Sequence, residues 1–209
     1  MLFNTIIAGG KSVSAPNGTS WTQSNITSVR LRTLYNANGI WVAGGSNVLY
    51  YSIDGKSWTQ SNITNGIFYA VYNANGIWVA GGSKGLYYSI DGKSWTQSNI
   101  TNEIFYAVYN ANGIWVAGNS RSGLYYSTDG KTWTQSNITD KYIVAAYNAN
   151  GIWVVGSGNN GLYYSSDGKT WTRSNITSGD FNTVYNSNGI WVAGSGGNGL
   201  YYSESYIPS

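Results

Sequence analysis

The chain has 209 residues, 9% of them charged and 16% aromatic, with a formal net charge of +3. A disordered chain shows the opposite balance, and this length is enough for one domain with a sizeable core. The 11 basic residues are scattered, which argues against a nucleic-acid face, and the absence of cysteine and histidine removes thiolate chemistry, disulfides and the commonest general base and metal ligand. Neither a cofactor nor a metal is expected. Residues 1–10 carry no basic segment ahead of an apolar run, and no stretch approaches 18 apolar residues. A signal peptide, a transmembrane helix and insertion into a membrane are therefore not expected.

Taken in order, residues 1–16 read as a degraded partial repeat, with Ile7-Ala8-Gly9-Gly10 echoing a strand and Ala15-Pro16-Asn17-Gly18 echoing a turn. Residues 20–25 resemble the last strand of a unit that has no first strand of its own. From there a marker, Tyr-Asn-x-Asn-Gly-Ile-Trp-Val, begins at Tyr35, Tyr72, Tyr109, Tyr147 and Tyr185, in steps of 37, 37, 38 and 38. Residues 35–71 and 72–108 differ only at Asn47 against Lys84, Val48 against Gly85 and Gly66 against Glu103. Such near-identity implies recent duplication or design, so sameness between copies is weak evidence of constraint.

Each unit reads as four short strands. In the second unit, strand A (67–73) is apolar on both faces, as an inner strand covered on both sides should be. Asn75-Gly76 is a tight hairpin signal, because both turn positions must accept φ > 0. Strand B (76–80) is again apolar. A glycine-rich loop leads to strand C (86–89), then the Asp91-Gly92 turn, then strand D (94–99), a polar strand anchored by Trp95. No helical period occurs. Four-stranded units recurring every ~40 residues predict an all-β protein, a β-propeller whose blades bury their faces against one another. The repeats start near residues 29, 66, 103, 141 and 179 within one domain, 1–209. Five blades are expected, six being the alternative if residues 1–16 supply a blade. After strand C of the last unit the sequence reads Glu204-Ser205 where a turn motif is due, so the N-terminal strand D is expected to close the ring beside residues 181–204. Asn-Ile-Thr follows the same step at Asn25, Asn62, Asn99, Asn137 and Asn175, read here as members of the repeat rather than as glycosylation sites.

The turn motif Ser-x-Asp-Gly-x-[Ser/Thr]-Trp begins at Ser52, Ser89, Ser127 and Ser165. It resembles the Asp-box, the bacterial neuraminidase repeat of sialidase-type propellers. That resemblance, at the level of blade type over residues 29–204, implies a fold element joining strands C and D. The chemistry agrees. Asp54, Asp91, Asp129 and Asp167 can accept hydrogen bonds from their own turns, and Gly55, Gly92, Gly130 and Gly168 supply the positive φ. Sialidases also resemble one another in an arginine triad, a Tyr–Glu nucleophilic pair and an acid/base Asp. Here the arginines are Arg30, Arg32, Arg121 and Arg173, and the acids outside the boxes are Glu103, Asp140, Asp180 and Glu204. No motif places two of these carboxylates together as glycoside hydrolysis requires, so no catalytic residue is carried over and a non-enzyme is expected.

Strand direction puts the A–B turns and boxes on one face of the ring and the B–C and D–A loops on the other. The first face is nearly constant, and the second holds most of the variation. Arg30, Arg32, Lys84, Glu103, Arg121, Asp140, Lys141, Asn159 and Asp180 are the candidate ligand-binding residues there. Three functions fit the sequence. One is a multivalent lectin-like module, in which repeated aromatics stack on glycans and weak sites combine through avidity. The second is a platform for a protein partner on the variable face. The third is a structural or recently amplified scaffold without a ligand. The strand-B tryptophans (Trp41, Trp78, Trp115, Trp153, Trp191) are expected in the core. Strand D carries no charge except Arg173, so self-association through the outer edges is also expected.

Overall fold

The structure is a computed structural model in which residues 21–204 are described; the partial repeat at 1–16 lies outside them. Every regular element is a β-strand. Blade one comprises Leu31–Ala37 (β1), Ile40–Gly45 (β2), Val48–Ser52 (β3) and Thr59–Gln60 (β4). Blade two comprises Phe68–Ala74 (β5), Ile77–Gly82 (β6), Gly85–Ser89 (β7) and Thr96–Thr101 (β8). Blade three comprises Phe105–Ala111 (β9), Ile114–Asn119 (β10), Leu124–Ser127 (β11) and Thr134–Gln135 (β12). Blade four comprises Tyr142–Ala149 (β13), Ile152–Gly158 (β14), Gly161–Ser165 (β15) and Thr172–Arg173 (β16). Blade five has Phe181–Ser187 (β17), Ile190–Ser195 (β18) and Gly199–Glu204 (β19). Each is an antiparallel meander in chain order.

Local chemistry explains the meanders. Asn75 and Gly76 sit at φ 52° and 78°, and Ala74 pairs with Ile77 across them. This is the mirror-image turn whose twist matches the flanking strands. The boxes form as expected. Ser89 Oγ accepts from the Gly92 N–H at 2.9 Å, and Asp91 Oδ1 accepts from Lys93 N and Ser94 N, both at 2.8 Å. Backbone donors at Asp54, from Ser57 and then Lys56, hold that carboxyl down to about 2. A bulge interrupts the start of every inner strand, between Phe68 and Ala70 in blade two. The alternation shifts there, so Phe68 is buried while Tyr69 lines the concave inner side.

The core lies between blades. Val42 and Leu49 of blade one meet Phe68, Val71, Trp78 and Trp95 of blade two, and the same set recurs at the next two interfaces. Trp78, Trp115 and Trp153 are almost fully buried, as read from sequence. Trp41 and Trp191 are only half-buried, because each stands on an outermost blade. The asparagines of the Asn-Ile-Thr triplets tie blade to blade. Asn62 donates from Nδ2 to the Trp95 carbonyl at 2.9 Å and accepts from Trp95 N at 2.8 Å. Asn99 holds Trp133, Asn137 holds Trp171 and Asn25 holds Trp58 in the same way.

Five blades are present among the described residues, and the expected closure is not seen among them. The last sheet has three strands, and residues 21–30 contribute none. The Asn25 clasp places residues 21–25 beside blade one, where the outer strand of a preceding blade would lie, but β19 takes no strand partner from them. Inner strands pack β1 on β5, β5 on β9, β9 on β13 and β13 on β17, with no comparable contact from β17 back to β1 among the described residues. Of the outer edges expected to drive self-association, β8 keeps six residues, and the other three are short. β4, β12 and β16 have two residues each, and short edge strands template pairing poorly.

Candidate functional site: the variable loop face

In four of the five blades the D–A connection is stitched to the B–C loop of its own blade. Ser46 N donates to the Arg30 carbonyl, Ser83 N to Ile67, Ser120 N to Ile104 and Gly196 N to Asp180, at 2.8–3.1 Å. The two variable loop sets therefore do share one face. Within it the candidate residues take different positions. Arg32 lies in β1 with its guanidinium 5.3 Å from the centre of the Tyr69 ring. Arg30 and Lys84 are exposed, and their carbonyls accept loop hydrogen bonds. Glu103 is half-buried and accepts from Asn119 Nδ2 at 2.7 Å and from the Tyr125 hydroxyl at 3.2 Å. Burial, and then the Glu103 charge, push the Tyr125 phenol up. Asn119 also receives the backbone N–H groups of Arg121 and Ser122, so it organises the whole loop. Asp140 and Asn159 occupy left-handed turn positions, at φ 55° and 79°. Lys141 is half-buried beside β13. Asp180 lies between the B–C loops of blades four and five, its carboxylate close to both Gly158 and Gly196.

Two features escaped sequence reasoning. Asn119 is one. The other is a run of side chains along the inner strands at this face. Arg32 stacks on Tyr69, Tyr69 on Tyr106 at 4.6 Å and Tyr106 against Tyr142 at 5.5 Å between ring centres. Tyr69 and Tyr106 line a concavity of about 330 Å³ that also takes in Thr33, Asn182 and Thr183. Burial, first of all, pushes the Tyr106 phenol up. A signal was available. The second residue of strand A reads Arg32, Tyr69, Tyr106, Val144 and Asn182 in an otherwise repetitive strand.

The opposite end of the inner strands is different in kind. Tyr35, Tyr72, Tyr109, Tyr147 and Tyr185 form a continuous ladder with ring centres 4.7–5.4 Å apart. Tyr35, Tyr72, Tyr109 and Tyr147 each also meet, edge to face, the strand-B tryptophan of the following blade. These rings hold blades together. The outer aromatics are engaged as well. Trp95, Trp133 and Trp171 are buried, and the box lysines Lys93, Lys131 and Lys169 lie over Tyr51, Tyr88 and Tyr126 of the preceding blade. Among the described residues, three of the four box tryptophans and three tyrosines beneath box lysines are thus already engaged between blades. Among the described residues no three His, Cys, Asp or Glu side chains gather as a metal site would require.

No protein-family model matches the chain, and no curated protein matches it in sequence. Its fold is matched by solved structures. The computationally designed protein Ika8 superposes with a TM-score of 0.69 at 14% identity, over 83% of this chain and 58% of that one. YCF48 bound to a D1 peptide gives 0.65 at 15% identity, over 88% and 65%. An ancestral GH74 enzyme gives 0.63 at 17% identity, over 78% and 27%. The chain thus spans under two thirds of each of these proteins. Likeness at such identities shows fold alone: the chain is an all-β repeat scaffold of five propeller-type blades.

Proposed function

We propose that the protein is a non-enzymatic recognition module that binds a peptide segment of a protein partner on its variable loop face. The run Arg32–Tyr69–Tyr106–Tyr142 carries the reading. It places a cation and three aromatic rings in succession along this face, with Tyr69 and Tyr106 lining its concavity. Tyrosine and arginine are the residues that anchor protein interfaces, and loops on a rigid scaffold are where recognition is built. YCF48, whose fold is similar, is seen with a peptide bound. The non-enzymatic reading is supported by how the carboxylates are engaged: four serve their own Asp-box-like turns, and Glu103 holds Asn119 and Tyr125.

Panning a displayed peptide library against the chain, with a glycan array in parallel, tests this. Peptides carrying an acidic residue are expected, for Arg32. Tyr106→Ala should weaken the best of them by roughly tenfold or more, while Lys131→Ala on the opposite face leaves binding unchanged. Glycan hits with about five equivalent sites would replace this reading with a lectin, and silence in both assays would leave a structural scaffold.

A further inference from the structure

The fourth inter-blade interface lacks the outer-strand tryptophan that the other three share. At the first interface, Leu49 and Ile63 of blade one and Tyr87 of blade two surround Trp95 from the outer strand of blade two. Trp133 and Trp171 fill the same place at the next two. At the fourth, Leu162 and Ile176 of blade four and Trp191, Ala193 and Tyr201 of blade five surround a cavity of about 300 Å³ instead. Leu162 is correspondingly half-exposed where Leu49, Leu86 and Leu124 are fully buried. This cavity is a tryptophan slot without its tryptophan.

The two ends of the blade array carry the remaining unmatched halves of the same interface. Tyr185 of blade five is 58% exposed and is the last ring of the ladder, with no following strand-B tryptophan, while Trp41 of blade one has no preceding tyrosine. Tyr202 is 76% exposed where its counterparts Tyr51, Tyr88 and Tyr126 lie under a box lysine, and the box lysine of blade one, Lys56, covers no such ring. Leu31 and Leu34 are 44% and 57% exposed, whereas Phe68 and Val71, one repeat later, are 1% and 6% exposed. Among the described residues Gly194 meets only Thr183 and Leu200 of its own blade, where Gly81 meets Phe105 and Gly156 meets Phe181 of the next blade. Each half on blade five fits its complement on blade one, because both are copies of surfaces already joined three or four times in the molecule.

We infer that a second copy of this chain docks head to tail, its blade one against blade five of the first. Its residues 21–25 then become the missing outer strand, and its Trp21 enters the slot. Those residues are already placed for the role. The Asn25–Trp58 clasp repeats the Asn62–Trp95 clasp, so the segment sits where the outer strand of a preceding blade belongs, and Trp21 is 89% exposed there. Asn175 of the first copy stands one repeat beyond Asn137, ready to clasp the incoming Trp21 backbone. Among the described residues the same chain does not supply this contact, since β17 and β1 do not pack together as successive inner strands do. A head-to-tail interface of this kind propagates, to a closed ring of several chains or to a filament.

The test uses the full 209-residue chain in sedimentation and light scattering over a wide concentration range. Wild type should populate species that are multiples of 22.6 kDa. Trp21→Ala, which removes the inserting ring, and Tyr185→Asp, which alters an exposed position on the receiving face, should each weaken association by about 100-fold or more. Mixing the two variants should restore one interface and give a 1:1 pair, since Tyr185→Asp still offers Trp21 and Trp21→Ala still offers the slot. A wild-type monomer whose Trp21 is shielded from an added quencher would overturn the proposal in favour of closure within one chain. A monomer with Trp21 open to quencher, or association indifferent to both substitutions, would overturn it outright.

Discussion

Asn62→Ala isolates the inter-blade clasp. The side chain makes two hydrogen bonds to one peptide unit, 2.9 Å to the Trp95 carbonyl and 2.8 Å from its N–H. At roughly 1 kcal/mol net per bond, its loss should cost about 2 kcal/mol. With a urea m-value of about 2–3 kcal/mol per molar, the unfolding midpoint should fall by roughly 0.7–1 M. The molecule contains its own control. Asn175 occupies the same place one repeat after Asn137 and makes no such bond among the described residues. In the monomeric Tyr185→Asp background, Asn175→Ala should therefore change the midpoint by less than about a quarter of that. Both variants must be followed on the same transition, by tryptophan fluorescence, since a blade array can unfold in steps. Equal effects at the two positions, or a neutral Asn62→Ala, would refute the claim that the asparagine holds the neighbouring blade.

The boxes make an acid prediction. Asp54 is held down to about 2, by backbone donors from Ser57 and Lys56, against an ordinary 3.8. Asp91, Asp129 and Asp167 are also lowered: partial burial opposes the shift and is the largest influence at Asp91 and Asp129, but the hydrogen bonds their turns donate outweigh it. As pH falls the unfolded chain takes up these protons first, so their stabilisation is complete above about pH 4 and is lost as pH drops towards 2. Asp91→Asn should flatten the dependence of the urea midpoint on pH between 4 and 2, and an unchanged slope would count against the box hydrogen bonds. A glycine pair separates conformation from space. Gly113→Ala, at φ 78° with nothing near the added methyl, should cost about 1–2 kcal/mol. At Gly123, φ 87°, the methyl would fall on the Ile138 carbonyl, so Gly123→Ala should cost about 3 kcal/mol or more in the same denaturation assay.

Much of this molecule was legible in its sequence because the repeat says the same thing five times. The Asn-Gly turns, the boxes and the doubly apolar strands each specify local geometry, and their spacing fixes four strands per blade. That is short-range information, carried by φ preferences and alternation, and the strands formed within one or two residues of the positions read from the second unit. The sorting of loops into a constant and a variable face followed from strand direction alone.

Relations between blades were not legible in the same way. The Asn-Ile-Thr triplets read as passive members of the repeat, but Asn62 bonds a residue 33 positions away, and only the packing of two blades brings the partners together. Glu103 read as a free candidate for binding, but Asn119 and Tyr125 engage it across the loop. The bulge that starts each inner strand sends position 69 towards the concavity, and strict alternation could not announce it. Closure was the hardest to read. The sequence supplied a strand for the last blade, but whether Trp21 reaches its slot depends on the angle between successive blades. That angle is set by how the core side chains fit: local sequence determined the blades, and tertiary packing decided that, among the described residues, β17 does not pack back on β1 as successive inner strands pack on one another.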